Sequence, residues 1–166
     1  TDPALYAAKD SDTAFLTNAY LADSATREPP NWFAHLTYLR PHPPLVAPAP
    51  YNTLYDPQKL PLPHRFNNQV AEEAVHPFFV PMFDSVTPAD FVSGMPDLKP
   101  DEGTVQALRA VYLGLASEVD HHIGRVITDL KQAGRYEDTL VIITADHGEM
   151  LGAVSYTHLT LPTIYS

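Results

Sequence analysis

Asp146 and His147 set a carboxylate oxygen beside an imidazole nitrogen, directly after the run Thr139–Ala145, TLVIITA. Both groups are ligands of divalent cations. Successive side chains on a strand point to opposite faces, so the two can share one ion only where the strand has already become a loop. Gly148 follows and permits a tight bend there. The same residues also suit a helix cap followed by a solvated histidine. Two donors do not complete a site, so the residues alone leave both readings open.

The elements that would position the pair can be read outward from it. The continuous β-branched run Thr139–Ala145 has the pattern of a strand buried on both faces of a parallel sheet. Before it, Thr104–Gly134 carries Val105, Leu108, Tyr112, Leu115, Val119, Ile123, Val126, Ile127 and Leu130 at three- and four-residue spacings. This is one apolar face of a long amphipathic helix, with Gly134 as its stop and Lys131 in its last turn. Helix, short turn and buried strand form half of an α/β unit, with the sites of such sheets beyond the strand ends.

Further upstream, Asn31–Leu39 alternates bulky residues and is predicted to be a central strand covered on both sides. Trp32, Ala34, Leu36 and Tyr38 share one face of it. Arg40–Arg65 is dense in proline, which forbids a helix, yet its interspersed aromatics and aliphatics predict a long ordered loop on a surface. Ser11–Ala22 is predicted to be a short helix with Phe15, Leu16, Ala19 and Tyr20 inward. Phe66–Pro100 gives only turn-like and short helical signals. Thr87 and Lys99 open two stretches of helix-start chemistry.

The chain has 166 residues, 45% of them hydrophobic, enough for one modest domain with a core. A formal charge of −10 argues against nucleic acid or an anionic membrane as partner. There is no cysteine, so thiolate metal sites and a cysteine nucleophile within these residues are excluded. No apolar run reaches the roughly 18 residues of a membrane-spanning helix.

The stretch GRVITDLKQAGRYEDTLVIITADHGEMLG, residues 124–152, resembles the C-terminal half of the sulfatases and phosphonate monoester hydrolases of the alkaline phosphatase superfamily. A second stretch, WFAHLTYLRPHPPLVAPAPYNTLYDP at residues 32–57, resembles another block of that family, a strand followed by a Pro-His-Pro-Pro loop. The resemblance implies an α/β fold, a piece of an alkaline-phosphatase-like sandwich with a mostly parallel central sheet flanked by helices. It implies metal-dependent hydrolysis of sulfate, phosphonate or phosphate esters, with a small-molecule ester as substrate. Asp146 and His147 match two ligands of the active-site cation, for which Ca, Mn and Zn all stay open. His42 matches the histidine that contacts the ester oxygen and helps the leaving group. A loop histidine held by prolines is its plainer reading. Glu149 fits the motif without a role, and His35, His64, His76, His121 and His122 lack partner spacing. Adjacent positions on a helix diverge, which predicts a surface place for His121 and His122.

In that family a formylglycine, made from Cys or Ser in a C/S-x-P-x-R motif, is the nucleophile, and these 166 residues contain no such motif. The expectation is therefore a piece of a longer enzyme, inactive alone and poorly soluble through unpaired strand edges. A homo-oligomer stays open, and of cytoplasm and periplasm the cytoplasm is favoured. Two other readings stand beside this one. One is a superfamily phosphotransferase or mutase with a Thr or Ser nucleophile. The other is a non-catalytic binding module with a proline-rich docking loop. After Gly152 the family pattern ends. The text VSYTHLTLP, residues 154–162, is similar to one reading frame of a transposon-end sequencing adapter. Residues 1–152 are accordingly expected to be partial catalytic domain, and 153–166 translated adapter.

Overall fold

The longest element, helix α3 (Glu102–Gln132), is defined at both ends by local chemistry. Asp101 stands in extended conformation before it, and its Oδ1 accepts the Thr104 amide at 2.7 Å. That bond holds the Asp101 carboxyl below its usual range. At the other end Gly134 takes φ +65°. The Gly134 amide donates to the Lys131 carbonyl and the Arg135 amide to the Leu130 carbonyl, closing the last turn. The sequence places both limits within two residues. An added Cβ at Gly134 meets nothing within 4 Å, so a substitution there loses only the backbone conformation. Gly134→Ala is expected to destabilise the full-length protein by about 1 kcal/mol, and Gly134→Asn by less, in denaturant unfolding.

In this computed structural model the described residues are 12–26, 32–64, 66, 68–77, 79–81, 88–92, 94–99 and 101–152. Residues 153–166, expected to be adapter, lie outside them. Helix α1 (Asp12–Thr26) packs on α3, and the five-residue α2 (Gln69–Glu73) is capped by Asn68. A single 3₁₀ turn at Pro88–Phe91 and the cap at Asp101 sit where helix-start chemistry predicted them.

The proline-rich loop is ordered along α3. Leu45, Val46 and Ala47 are buried, and the Leu45 amide donates to the Phe91 carbonyl at 2.6 Å. Further on, the Tyr55 hydroxyl bonds Ser117 Oγ at 2.8 Å, and Gln106 Nε2 donates to the Leu60 carbonyl at 3.0 Å. The core consists of Leu45, Ala47 and Leu115, with Tyr51, Phe91, Leu108, Val111 and Tyr112 packed around them. A mid-helix glycine makes this approach close enough: a Cβ on Gly114 would collide with the Tyr51 carbonyl.

Two expectations are corrected. Helix α1 buries Tyr20 as expected, but with it Thr13, Thr17 and Ser24, while Phe15 is 67% exposed and Ala19 is exposed. Two residues of this face find polar partners: Thr17 Oγ1 with the Tyr38 hydroxyl at 2.8 Å and Ser24 Oγ with Asp129 Oδ2 at 2.7 Å. His122 is buried, while His121 is exposed. The two do diverge around the helix, but His122 falls on the stripe Ala110–Gly114–Glu118–His122, spaced every four residues on an inward face. Its Nδ1 accepts from Arg125 Nη1 at 3.2 Å, and Arg125 Nη2 reaches Asn18 on α1 at 2.7 Å.

The expected sheet stands apart from these two corrections. Residues 32–39 and 139–145 form neither helix nor turn, and no strand pairing forms among the described residues. The first run keeps the predicted alternation, with Trp32, Ala34, Leu36 and Tyr38 half-buried and the intervening residues exposed. It is covered on one side only. In the second, Leu140 and Ile142 are largely exposed. β-branched residues select an extended backbone by themselves, whereas burial of both faces needs neighbouring strands and covering helices.

Candidate metal centre

The run 139–145 ends and the backbone bends at Asp146. This is the geometry in which two adjacent side chains can turn the same way. Asp146 Oδ1 accepts the His147 amide at 2.8 Å, while Oδ2 stands 3.6 Å from His147 Nε2. His147 Nδ1 lies 3.3 Å from the Gly148 carbonyl. A carbonyl only accepts, so Nδ1 is the donor in that contact and Nε2 is the nitrogen that faces the carboxylate. Two electron-rich atoms so placed are reconciled by a proton or a cation between them. Donors about 2.1 Å from one tetrahedral ion stand about 3.4 Å apart, close to the separation seen. A ligand histidine whose other nitrogen bonds a backbone carbonyl is the usual arrangement around metals. The pair therefore fits two positions of a metal centre. The Asp146 side chain is 88% exposed and His147's 31%, so solvent and further ligands can reach the space between them.

His42 is exposed at the turn that opens the proline-rich loop. Its amide donates to the Leu39 carbonyl at 3.1 Å, and its Nδ1 lies 2.7 Å from the Pro43 carbonyl. Arg40 Nη1 braces the turn through the Pro44 carbonyl at 2.7 Å. The ring is thus oriented by its own backbone. Among the described residues no three His, Cys, Asp or Glu side chains form a group able to hold a metal. Asp146 and His147 are brought together, and His42 does not join them in such a group.

Residues 148–152 are held from α3. The Tyr112 hydroxyl lies against the bend, 3.8 Å from where a Cβ on Gly148 would stand. Burial pushes that hydroxyl's pKa up; the Glu149 amide offsets this in part and the Glu149 carboxylate adds to it. Arg109 Nη1 donates to the Leu151 carbonyl at 3.4 Å. Gly152, at φ +82°, lies so close to Val105 that an added Cβ would stand 2.9 Å from its Cγ1. The sequence reading gave Tyr112 only an apolar role. Its signal was the hydroxyl: a tyrosine among aliphatics on a buried helix face needs a polar partner.

Known proteins carry the same arrangement of chain. The sulfatase family model matches residues 2–163. The multifunctional alkaline phosphatase superfamily protein PehA of Trinickia caryophylli is 41% identical over 86% of this chain and 28% of its own length. The solved phosphonate monoester hydrolase of Silicibacter pomeroyi is 64% identical with a TM-score of 0.85, over 89% of this chain and 29% of that one. The phosphonate monoester hydrolase of Agrobacterium radiobacter is 37% identical with a TM-score of 0.76, over 86% and 28%. The chain thus spans less than a third of the length of these relatives. With a match along nearly its whole length, the chain belongs to the sulfatase family.

Proposed function

We propose that the full-length protein carrying this chain is a metal-dependent hydrolase of phosphonate or sulfate esters, with phosphonate monoesters preferred. The preference rests on the 64% identity to a phosphonate monoester hydrolase. The observation that carries the metal reading is the 3.6 Å approach of Asp146 Oδ2 to His147 Nε2, with the ring's Nδ1 turned to the Gly148 carbonyl. In this reading Asp146 supplies negative charge and one oxygen donor, and His147 supplies Nε2. A bound divalent cation supplies Lewis-acid polarisation of the ester oxygens. His42, its ring oriented by the Pro43 carbonyl, hydrogen-bonds the ester oxygen and assists departure of the alcohol. The 166 residues hold no cysteine and no C/S-x-P-x-R motif, so a formylglycine nucleophile comes from elsewhere in the protein. The central sheet of the proposed sandwich likewise takes its neighbouring strands from there, covering Leu140 and Ile142.

The test is an assay of the full-length, metal-loaded protein on an aryl phosphonate monoester and an aryl sulfate. Hydrolysis of both, with kcat/KM at least about tenfold higher on the phosphonate and abolished by chelation, is the expected result. Turnover of neither ester contradicts the reading. Translated adapter at residues 153–166 is a separate proposal, decided by the source DNA: absence of the adapter string there refutes it.

A further inference from the structure

The turn that carries His42 is poor in donors. Within residues 41–44, Pro41, Pro43 and Pro44 lack a backbone N–H. The N–H of His42 is given to the Leu39 carbonyl at 3.1 Å. The successive carbonyls of His42, Pro43 and Pro44 must therefore be met by side chains or water. Arg40 supplies a side-chain donor from just outside the run. Its Nη1 donates to the Pro44 carbonyl at 2.7 Å and lies 3.4 Å from the His42 carbonyl. The carbonyl between these two, that of Pro43, meets His42 Nδ1 at 2.7 Å. Arg40 thus holds the peptide units on both sides of the one that orients the ring.

The prolines alone do not aim that ring. Proline fixes φ, but ψ sets where a carbonyl points, and the pyrrolidine ring leaves ψ to its surroundings. The chain is anchored on either side of the turn. Before it, the Tyr38 hydroxyl bonds Thr17 Oγ1 on α1 at 2.8 Å. After it, Leu45 is buried and its amide donates to the Phe91 carbonyl at 2.6 Å. Between these anchors the Arg40 guanidinium closes the turn from 40 to 44. A charged donor makes a hydrogen bond roughly twice as strong as a neutral one. Arg40 is half-buried while His42 is exposed, so the clamp lies over the turn and the ring faces the side from which a substrate arrives.

We propose that Arg40 is a positioning residue, holding the Pro43 carbonyl in the direction that aims His42 at the departing oxygen. This rests on the reading of His42 as the group that assists departure of the alcohol. Arg40 acts through His42 and touches no reacting atom. Proton donation to a leaving group is worth about 100- to 10,000-fold in rate, and most where the alcohol is a poor leaving group. A misdirected ring forfeits part of that, and a loss of about tenfold is expected.

The experiment uses the full-length, metal-loaded protein and compares kcat/KM on the phenyl and 4-nitrophenyl esters of methylphosphonate. Nitrophenol is the better leaving group and depends less on assistance. Arg40→Met keeps the length of the side chain and removes its donors. The expected result is a loss of about tenfold on the phenyl ester and no more than about threefold on the nitrophenyl ester, with the unfolding temperature unchanged. His42→Ala is the reference and should lose about a hundredfold on the phenyl ester and far less on the nitrophenyl ester. Equal losses on the two esters in Arg40→Met, or none, with selective loss in His42→Ala, overturn the role of Arg40 alone. Absence of that selectivity in His42→Ala overturns the leaving-group reading of His42 and this proposal together. If Arg40→Met does not fold, Arg40→Lys, a point donor in place of the planar fork, is measured instead. A loss of about threefold or more confined to the phenyl ester then supports the proposal, and equal losses or wild-type rates on both esters overturn it.

Discussion

Asp146→Ala in the full-length protein lowers kcat/KM for ester hydrolysis by about a thousandfold or more, roughly 4 kcal/mol of transition-state stabilisation. The size follows from what the side chain is asked to do. It contributes both an anionic donor and the charge that draws a cation to a surface exposed to solvent. Removing it leaves His147 as a single neutral donor at this end of the centre, and one imidazole holds a hard divalent ion weakly. Metal content measured on the purified variant should fall with activity, and the fold should survive, because an exposed Asp146 carries little of the packing. Asp146→Asn keeps an oxygen but not its charge and is expected to fall between the two. Activity within tenfold of wild type in Asp146→Ala would remove the residue from the centre.

Gly114→Ala destabilises the protein by about 2 kcal/mol, although alanine is the better helix former by roughly 1 kcal/mol. The added Cβ collides with the Tyr51 carbonyl and comes within 3.1 Å of its carbon and 3.7 Å of Ala47 Cβ. The first two atoms are backbone, so no rotamer change relieves the overlap. The loop must withdraw from α3, and Leu45, Ala47 and Tyr51 withdraw with it. Gly124 provides the control on the same helix: an added Cβ there meets nothing within 4 Å. Gly124→Ala should stabilise by about 0.5–1 kcal/mol in the same denaturant titration. Equal shifts in the two variants would show that the loop does not press on Gly114 in solution.

The contrast between these glycines explains which parts of the fold were legible in the sequence. Helix α3 was readable because its determinants are local: a three-to-four-residue apolar period, Asp101 before it and Gly134 after it. The order of the proline-rich loop was readable from the apolar residues between its prolines, three of which, Leu45, Val46 and Ala47, are buried. Gly114 and Gly124 look alike in the sequence, since only the distant Tyr51 distinguishes them. The buried face of α1 was misread for a related reason. Hydrophobicity selects Phe15, Leu16, Ala19 and Tyr20, of which Tyr20 is buried, but the neighbours supplied by Tyr38 and Asp129 are polar and match Thr17 and Ser24.

The strands show a different limit. Local preference predicts strands at residues 32–39 and 139–145, and the alternation in the first is visible in its burial. Pairing depends on which other strands lie alongside, and these elements do not pair among the described residues. At the candidate site the backbone bends at Asp146, and His147 Nε2 stands 3.6 Å from Asp146 Oδ2. The approach of the Tyr112 hydroxyl to Gly148 was hidden because helical periodicity registers the ring and not the hydroxyl.

The claim on which the functional account rests is that Asp146 and His147 hold one cation. Anomalous diffraction from crystals of the full-length protein soaked with Mn²⁺ or Zn²⁺ tests it directly. The account predicts a single peak with an Asp146 carboxylate oxygen and His147 Nε2 both about 2.0–2.2 Å from it. A metal peak elsewhere, with the two side chains turned apart, would contradict it.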